Sequence, residues 1–223
     1  MIFDLDGTIL STNSFRLWVG HILWAPFPHL GRLQRLGVTC TAMKELVARK
    51  TGLIGHETLK WRLQKLWQQA ITGDNGAVER DFVERLRSFV RPELVEVLNA
   101  VAEGEIEAVM ATAAVADYAD GFGKSLGFRH ILATSRTRDE GEPSNLSIHK
   151  CNAVLDFIAE RGWQDRVRIL FTDHRDDLPL IRRCQTVYWF GSDRERMALD
   201  RNLPEISLRP GLQGCEILLT QPA

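Results

Sequence analysis

A long stretch without one strand-like segment, lodged between segments that read as strands, constrains this chain more than any other feature. From Ser14 to about Asn99 the apolar residues recur at three- and four-residue steps, as in Met43, Leu46 and Val47, then Leu59, Leu63 and Leu66, then Phe82, Leu86, Phe89 and Val90. That is the period of amphipathic helices. Gly37, Gly52, Gly55 and the run Gly73-Asp74-Asn75-Gly76 punctuate the pattern as turns. Ahead of this stretch stands a single apolar run, Met1-Ile2-Phe3-Asp4-Leu5; behind it, strand and helix patterns alternate. The expected organisation is therefore one α/β core built from residues 1–13 and 100–223, with a helical unit of residues 14–99 inserted into it. A chain of 223 residues is about one and a half times the usual domain size, and an insert of roughly 85 residues suits a small helical bundle.

The alternating part predicts a strand at Ile106–Met110, a helix from about Val115 to Leu126, and a second strand from Phe128 to Thr134. A charged, turn-rich and exposed segment should follow over Ser135–Pro143, then a helix from about Lys150 to Arg161 that stops at Gly162. Val167–Phe171 reads as a strand, Asp177–Arg183 as a short helix, and Thr186–Phe190 as the last apolar strand. Strands separated by helices imply a parallel sheet covered on both faces. The aromatic residues Phe15, Trp18, Trp24, Phe27, Trp61 and Trp67 are expected in the core of the helical unit.

Composition excludes several classes. With 44% hydrophobic and 26% charged residues the chain is globular rather than disordered. A net charge of -1 provides no basic field for nucleic acid. No apolar run approaches the roughly 20 residues of a membrane span, because Leu17–Leu30 is interrupted by His21, Pro26, Pro28 and His29. The same run lacks the basic and cleavage regions of a signal peptide. Cys40, Cys151, Cys184 and Cys215 are scattered without a Cys-x-x-Cys pair, which fits a reducing compartment. The expectation is a cytoplasmic protein with neither a nucleic-acid nor a membrane partner; the oligomeric state is open.

In open α/β sheets, ligands bind at the carboxyl ends of the strands. Polar residues gather at those ends here: Asp4 and Asp6-Gly7-Thr8 after the first strand, Thr112-Ala113 after the second, and Thr172-Asp173 to Asp177 after a later one, with Lys150 opening the helix between. An unpaired carboxylate inside an apolar strand is costly, so Asp4 reads as functional rather than as turn chemistry. Converging carboxylates repel one another unless a hard cation sits among them, and Mg²⁺ favours carboxylate oxygens, water and phosphate. One carboxylate can attack phosphorus, a second can move the proton, and a lysine with a threonine hydroxyl can hold the phosphoryl oxygens.

Phe3-Asp4-Leu5-Asp6-Gly7-Thr8 resembles the first motif of the haloacid dehalogenase (HAD) superfamily, Thr112 its second, Lys150 its third, and Asp173 with Asp177 its fourth. Asp177-Leu178-Pro179-Leu180 is similar to the ending found in the phosphoserine-phosphatase-like branch. The resemblance implies a Rossmann-like parallel sheet, a helical cap inserted between the first and second motifs, Mg²⁺ dependence and an aspartyl-phosphate intermediate. It implies Asp4 as nucleophile and metal ligand, and Asp6 as general acid/base whose main-chain carbonyl meets the metal. Thr112, Ala113 and Lys150 would bind the phosphoryl group, Asp173 the metal, and Asp177 a metal-bound water. Three positions depart from the pattern: Thr172 stands where glycine is common, His174 where serine is common, and Ala113 where glycine often follows the hydroxyl.

The function so implied is hydrolysis of a small phosphorylated metabolite. The alternatives are a phosphotransferase or mutase using the same aspartyl-phosphate, or a silent module that binds a phosphorylated ligand. A dehalogenase is disfavoured, because halide departure does not need the acid/base that Asp6 supplies. The branch carries a glutamate nine residues after the nucleophile that holds the substrate ammonium; here that position is Asn13. Asn13 is thus a candidate substrate contact, and L-phosphoserine a poor substrate.

Overall fold

The computed structural model describes residues 1–215. Six parallel strands form one sheet: β1 (Ile2–Phe3), β2 (Val109–Val115), β3 (His130–Thr134), β4 (Ile169–Thr172), β5 (Thr186–Trp189) and β6 (Ser207–Pro210). Their order is β3-β2-β1-β4-β5-β6. The chain thus runs outward from β1 in both directions, and the crevice beside β1 is where such a sheet offers a binding site. This is the α/β, Rossmann-like class expected.

Between β1 and β2 lie five helices, α1 (Ser14–Trp24), α2 (Arg32–Lys50), α3 (His56–Ala70), α4 (Ala77–Arg87) and α5 (Val95–Glu103). Then come α6 (Ala116–Ser125), α7 (Ile148–Glu160), the four-residue α8 (Leu178–Ile181) and α9 (Asp193–Asn202). The chain leaves the sheet region and returns to it side by side. Leu10 and Val90 form an antiparallel bridge, the Ser11 N–H donates to the Phe89 carbonyl at 2.9 Å, and the Arg91 N–H donates to the Ile9 carbonyl at 2.9 Å.

Alternation along each strand divides the sheet into two faces. Phe3, Met110, Phe171 and Tyr188 face the side covered by α1–α6. Ile2, Val109, Leu170 and Val187 face the side covered by α7 and α8. On the first face Phe3 and Phe171 stack at 4.2 Å between centroids, and Phe171 and Tyr188 at 4.8 Å. Each fully buried side chain of this size contributes about 1.5–3 kcal/mol relative to exposure, so the aromatic row anchors the strand that ends in Asp4.

Several expectations shift. β1 pairs over only two residues, although the Asp4 N–H still donates to the Phe171 carbonyl at 2.9 Å. The second strand lies at 109–115 rather than 106–110, and its register with β3 slips between Ala111 and Val115. A two-residue surplus on β2 is therefore raised out of the ladder there, which carries Thr112 and Ala113. Thr186–Phe190 is not the last strand: α9 and β6 follow, both too polar to stand out by hydrophobic pattern. The segment 135–143 is exposed apart from the half-buried Arg136 and from Arg138, which is 3% exposed. Trp18, Phe27 and Trp67 are buried as expected, but Trp24 is 83% exposed. All four cysteines carry free thiols.

Candidate functional site

At the carboxyl edge of the sheet a cavity of about 680 Å³ opens between the strand ends and α1 and α3. Every residue singled out from the sequence lines it: Asp4, Asp6, Asn13, Thr112, Ala113, Lys150, Asp173 and Asp177. Asp4 follows β1 directly. Lys150, in the first turn of α7, is 2% exposed and donates from Nζ to Asp4 Oδ1 at 2.7 Å and to Asp177 Oδ2 at 2.8 Å. Thr172 Oγ1 donates to the same Asp177 oxygen at 2.6 Å. The hydroxyl at the position where glycine was the commoner residue thus holds Asp177 in place.

The electrostatics are those of carboxylates short of solvent. Burial pushes Asp4 above the ordinary carboxylate range; Lys150 pulls against that shift, and Asp177 and Asp173 add to it. The Lys150 ammonium is buried, yet its two carboxylate partners hold its pKa above the usual lysine value. Asp173 is pushed up to about 6, chiefly by burial, and accepts a long hydrogen bond from Thr8 Oγ1, at 3.4 Å. Gly7 makes room for it. Its φ is +72°, and a Cβ there would lie 2.0 Å from Asp173 Oδ2.

Among the described residues no three Asp, Glu, His or Cys side chains form a ready metal cage. Magnesium does not require one, since it commonly binds one or two carboxylates and fills its remaining positions with water and phosphate oxygens. Asp4 and Asp173, two carboxylates that burial pushes above their ordinary range, together with a main-chain oxygen, suit such a cation.

Asp6 is turned toward the helices. Its Oδ1 accepts the Ser14 N–H at 2.7 Å, and Ser14 Oγ shares a hydrogen bond of 2.9 Å with the Tyr118 hydroxyl, both side chains fully buried. Burial raises the Asp6 pKa against the opposing pull of Ser14. Thr112 Oγ1 accepts the Ala114 N–H at 3.0 Å, which leaves the hydroxyl proton available to a ligand oxygen. Asn13 caps α1, its Oδ1 accepting the Arg16 N–H at 3.0 Å.

The helices contribute residues that the sequence did not single out. Lys60 of α3, 5% exposed, donates from Nζ to the Ala113 carbonyl and to Ser144 Oγ, both at 2.8 Å, and burial lowers its pKa to about 8. Glu57 lines the cavity but is neutralised, taking Arg138 Nη1 at 3.0 Å and the Ser144 N–H at 3.1 Å. Arg138 also donates to Gln64 Oε1 and the Glu142 carbonyl. Apart from Glu142, four residues from Arg138, these partners lie more than fifty residues apart along the chain, so no local pattern announces them.

Three solved structures share the architecture. A protein of unknown function from Bordetella pertussis Tohama I is 18% identical, with a TM-score of 0.72 over 93% of this chain and 96% of that one. A HAD family hydrolase from Salmonella enterica subsp. enterica serovar Typhi is 14% identical, with a TM-score of 0.55 over 88% of this chain and 64% of that one. A phosphoserine phosphohydrolase-like protein from Francisella tularensis subsp. tularensis SCHU S4 is 13% identical, with a TM-score of 0.54 over 97% of each chain. At these identities the likeness is one of fold. No curated protein matches the sequence. A model of the haloacid dehalogenase-like hydrolases matches residues 1–182, from the strand that ends in Asp4 past the Asp173–Asp177 turn, and the chain belongs to that family.

Proposed function

We propose that this hydrolase is a Mg²⁺-dependent phosphatase of a small phosphomonoester, working through an aspartyl-phosphate on Asp4. The observation that carries the reading is the Lys150 ammonium, buried and held 2.7 Å from Asp4 Oδ1 at the end of β1. It offers positive charge where the equatorial phosphoryl oxygens would sit. Magnesium, held by Asp4, Asp173 and the Asp6 carbonyl, would supply charge neutralisation of the phosphoryl group. Asp4 attacks phosphorus in line through its other oxygen, Oδ2, while the bond to the leaving oxygen breaks. Asp6, whose raised pKa keeps the proton available, delivers it to that oxygen. Asp6 then takes a proton from the water that attacks phosphorus, which releases phosphate and restores Asp4. Asp177 acts by fixing Lys150.

Helices α1–α4 serve as the cap in this reading. Their wall of the cavity carries Phe15, Arg16, His56 and Lys60, and the one acid there, Glu57, is already paired with Arg138. Such a wall favours an anionic or apolar leaving group over an ammonium. The reading is tested with para-nitrophenyl phosphate in the presence of Mg²⁺ or excess chelator, on the protein and on Asp4→Asn and Asp6→Asn. Turnover should require Mg²⁺ and vanish in Asp4→Asn, and Asp6→Asn should lose about 10²–10⁴-fold, the usual contribution of acid–base help. Full activity in chelator, or in Asp4→Asn, would overturn it.

A further inference from the structure

The large hydrophobic side chains left exposed are not spread evenly. Six of the eleven among the described residues, Trp24, Leu33, Leu36, Met43, Val47 and Leu53, fall between residues 24 and 53, on and around α2. Within α2, Leu33, Leu36, Cys40, Met43 and Val47 follow one another at steps of three and four. At about 100° per residue they occupy a single stripe roughly 80° wide and about 21 Å long. The opposite side of the helix, with Val38, Ala42 and Glu45, is the buried one, packed toward α1 and α3. The stripe therefore belongs to no core in the described chain, although its period is as regular as that of a buried face.

The charges beside the stripe say what would cover it. Arg32 and Lys50 border it on one side and Lys44 on the other, and Arg35 and Arg49 complete five basic residues on the helix. The single acid of α2, Glu45, is buried and paired with Arg62 at 2.9 Å. An apolar stripe flanked by basic side chains is the pattern of a helix lying in the interface of an anionic bilayer. The apolar groups enter the acyl boundary, and the long basic side chains reach the headgroups. A second copy fits less well, since pairing the two stripes would bring the three bordering cations of each copy, Arg32, Lys44 and Lys50, together. Among the described residues no helix is long and apolar enough to cross a membrane; α2 would lie on one.

We propose that the α2 face, with Trp24 and Leu53 at its ends, docks on anionic phospholipid surfaces. The test is flotation of the full chain with vesicles of phosphatidylcholine alone or of equal parts phosphatidylcholine and phosphatidylglycerol, at low and high salt. The protein should float with the anionic vesicles only, and less in high salt. Arg32→Glu/Lys44→Glu/Lys50→Glu should weaken partitioning by about a hundred-fold or more, from roughly fivefold for each basic side chain lost. Leu36→Glu/Met43→Glu should abolish flotation. Both sets change exposed positions, and circular dichroism checks that the fold is retained. Absence of flotation at low salt by the unaltered protein, which needs no variant, overturns the proposal. So does flotation that both variants keep. A dimer by light scattering that Leu36→Glu/Met43→Glu dissociates, without flotation, would instead assign the stripe to a second copy.

Discussion

Replacing Lys150 by Met should damage stability before any assay of turnover is run. The ammonium is 2% exposed and bonds two carboxylates, Asp4 and Asp177, themselves 8% and 3% exposed. Truncating one member of a buried charge pair typically costs about 3–5 kcal/mol, because the remaining charge is stranded. For a chain of this length, where each kcal/mol moves the melting temperature by about 2–4 °C, that predicts a drop of roughly 6–20 °C. The loss should depend on pH in a definite direction. Asp4 is already raised by burial, and removing the cation raises it further. A carboxyl whose folded pKa lies above its unfolded value of 3.8 contributes stability that is complete below that value and is lost as pH rises through the folded one. The deficit of Lys150→Met should therefore be larger at about pH 8 than at about pH 5. Thermal unfolding followed by circular dichroism without metal reads both effects. Asp177→Asn is the comparison, because it leaves Lys150 paired with Asp4 and should cost less. A Lys150→Met protein that melts within a degree or so of the parent at both pH values would refute the reasoning.

Other outcomes follow from the same geometry. Gly7→Ala should be inactive and poorly metal-responsive, because its Cβ would lie 2.0 Å from Asp173 Oδ2 at a φ of +72°; turnover and Mg²⁺ titration check it. Mg²⁺ should raise the melting temperature more at about pH 8 than at about pH 5, since Asp173, raised to about 6, must lose its proton before it can bind a cation. Arg138→Ala should destabilise the protein by several degrees while leaving the Lys150–Asp4 pair intact, because it strands Glu57 against Ser144; thermal unfolding checks it. L-phosphoserine should be a poor substrate by kcat/KM against a panel of sugar, aryl, nucleotide and lipid-headgroup phosphates, because Asn13 cannot neutralise an ammonium and Glu57 is already paired.

The candidate site at the sheet edge was legible in part because carboxylates stand at strand ends, where a short apolar run stops and a polar residue begins. Asp4 and Asp173 could be read from their places at strand ends, whereas Thr112 and Lys150 stood out only by their place in the order of motifs that resembles the family's; the cavity gathers all four. The helical stretch was equally legible from its period. What stayed hidden depends on contacts between distant residues. Nothing around Lys60 distinguishes it from a solvated lysine until Ala113 and Ser144 are brought to its Nζ. Arg138 sits in a charged, turn-rich segment and is buried only because Glu57 and Gln64 face it. The register slip that raises Thr112 and Ala113 out of the β2 ladder leaves no mark in composition, and β6 is an edge strand with too little apolar pattern to read. Trp24 misled for a related reason: a large aromatic at a helix end is usually interior, and here it lies in the exposed apolar region around α2.

The central claim is that Asp4 becomes covalently phosphorylated during turnover. The direct measurement is to quench the protein with acid in mid-turnover, reduce it with borohydride, and map the modified residue by mass spectrometry. An acyl-phosphate at position 4 is reduced to homoserine, whereas a free carboxylate survives. The account predicts homoserine in place of Asp4, dependent on substrate and Mg²⁺ and absent when Lys150 is Met. Unmodified Asp4 in a protein caught turning over, with the reduced residue elsewhere or absent, would contradict it.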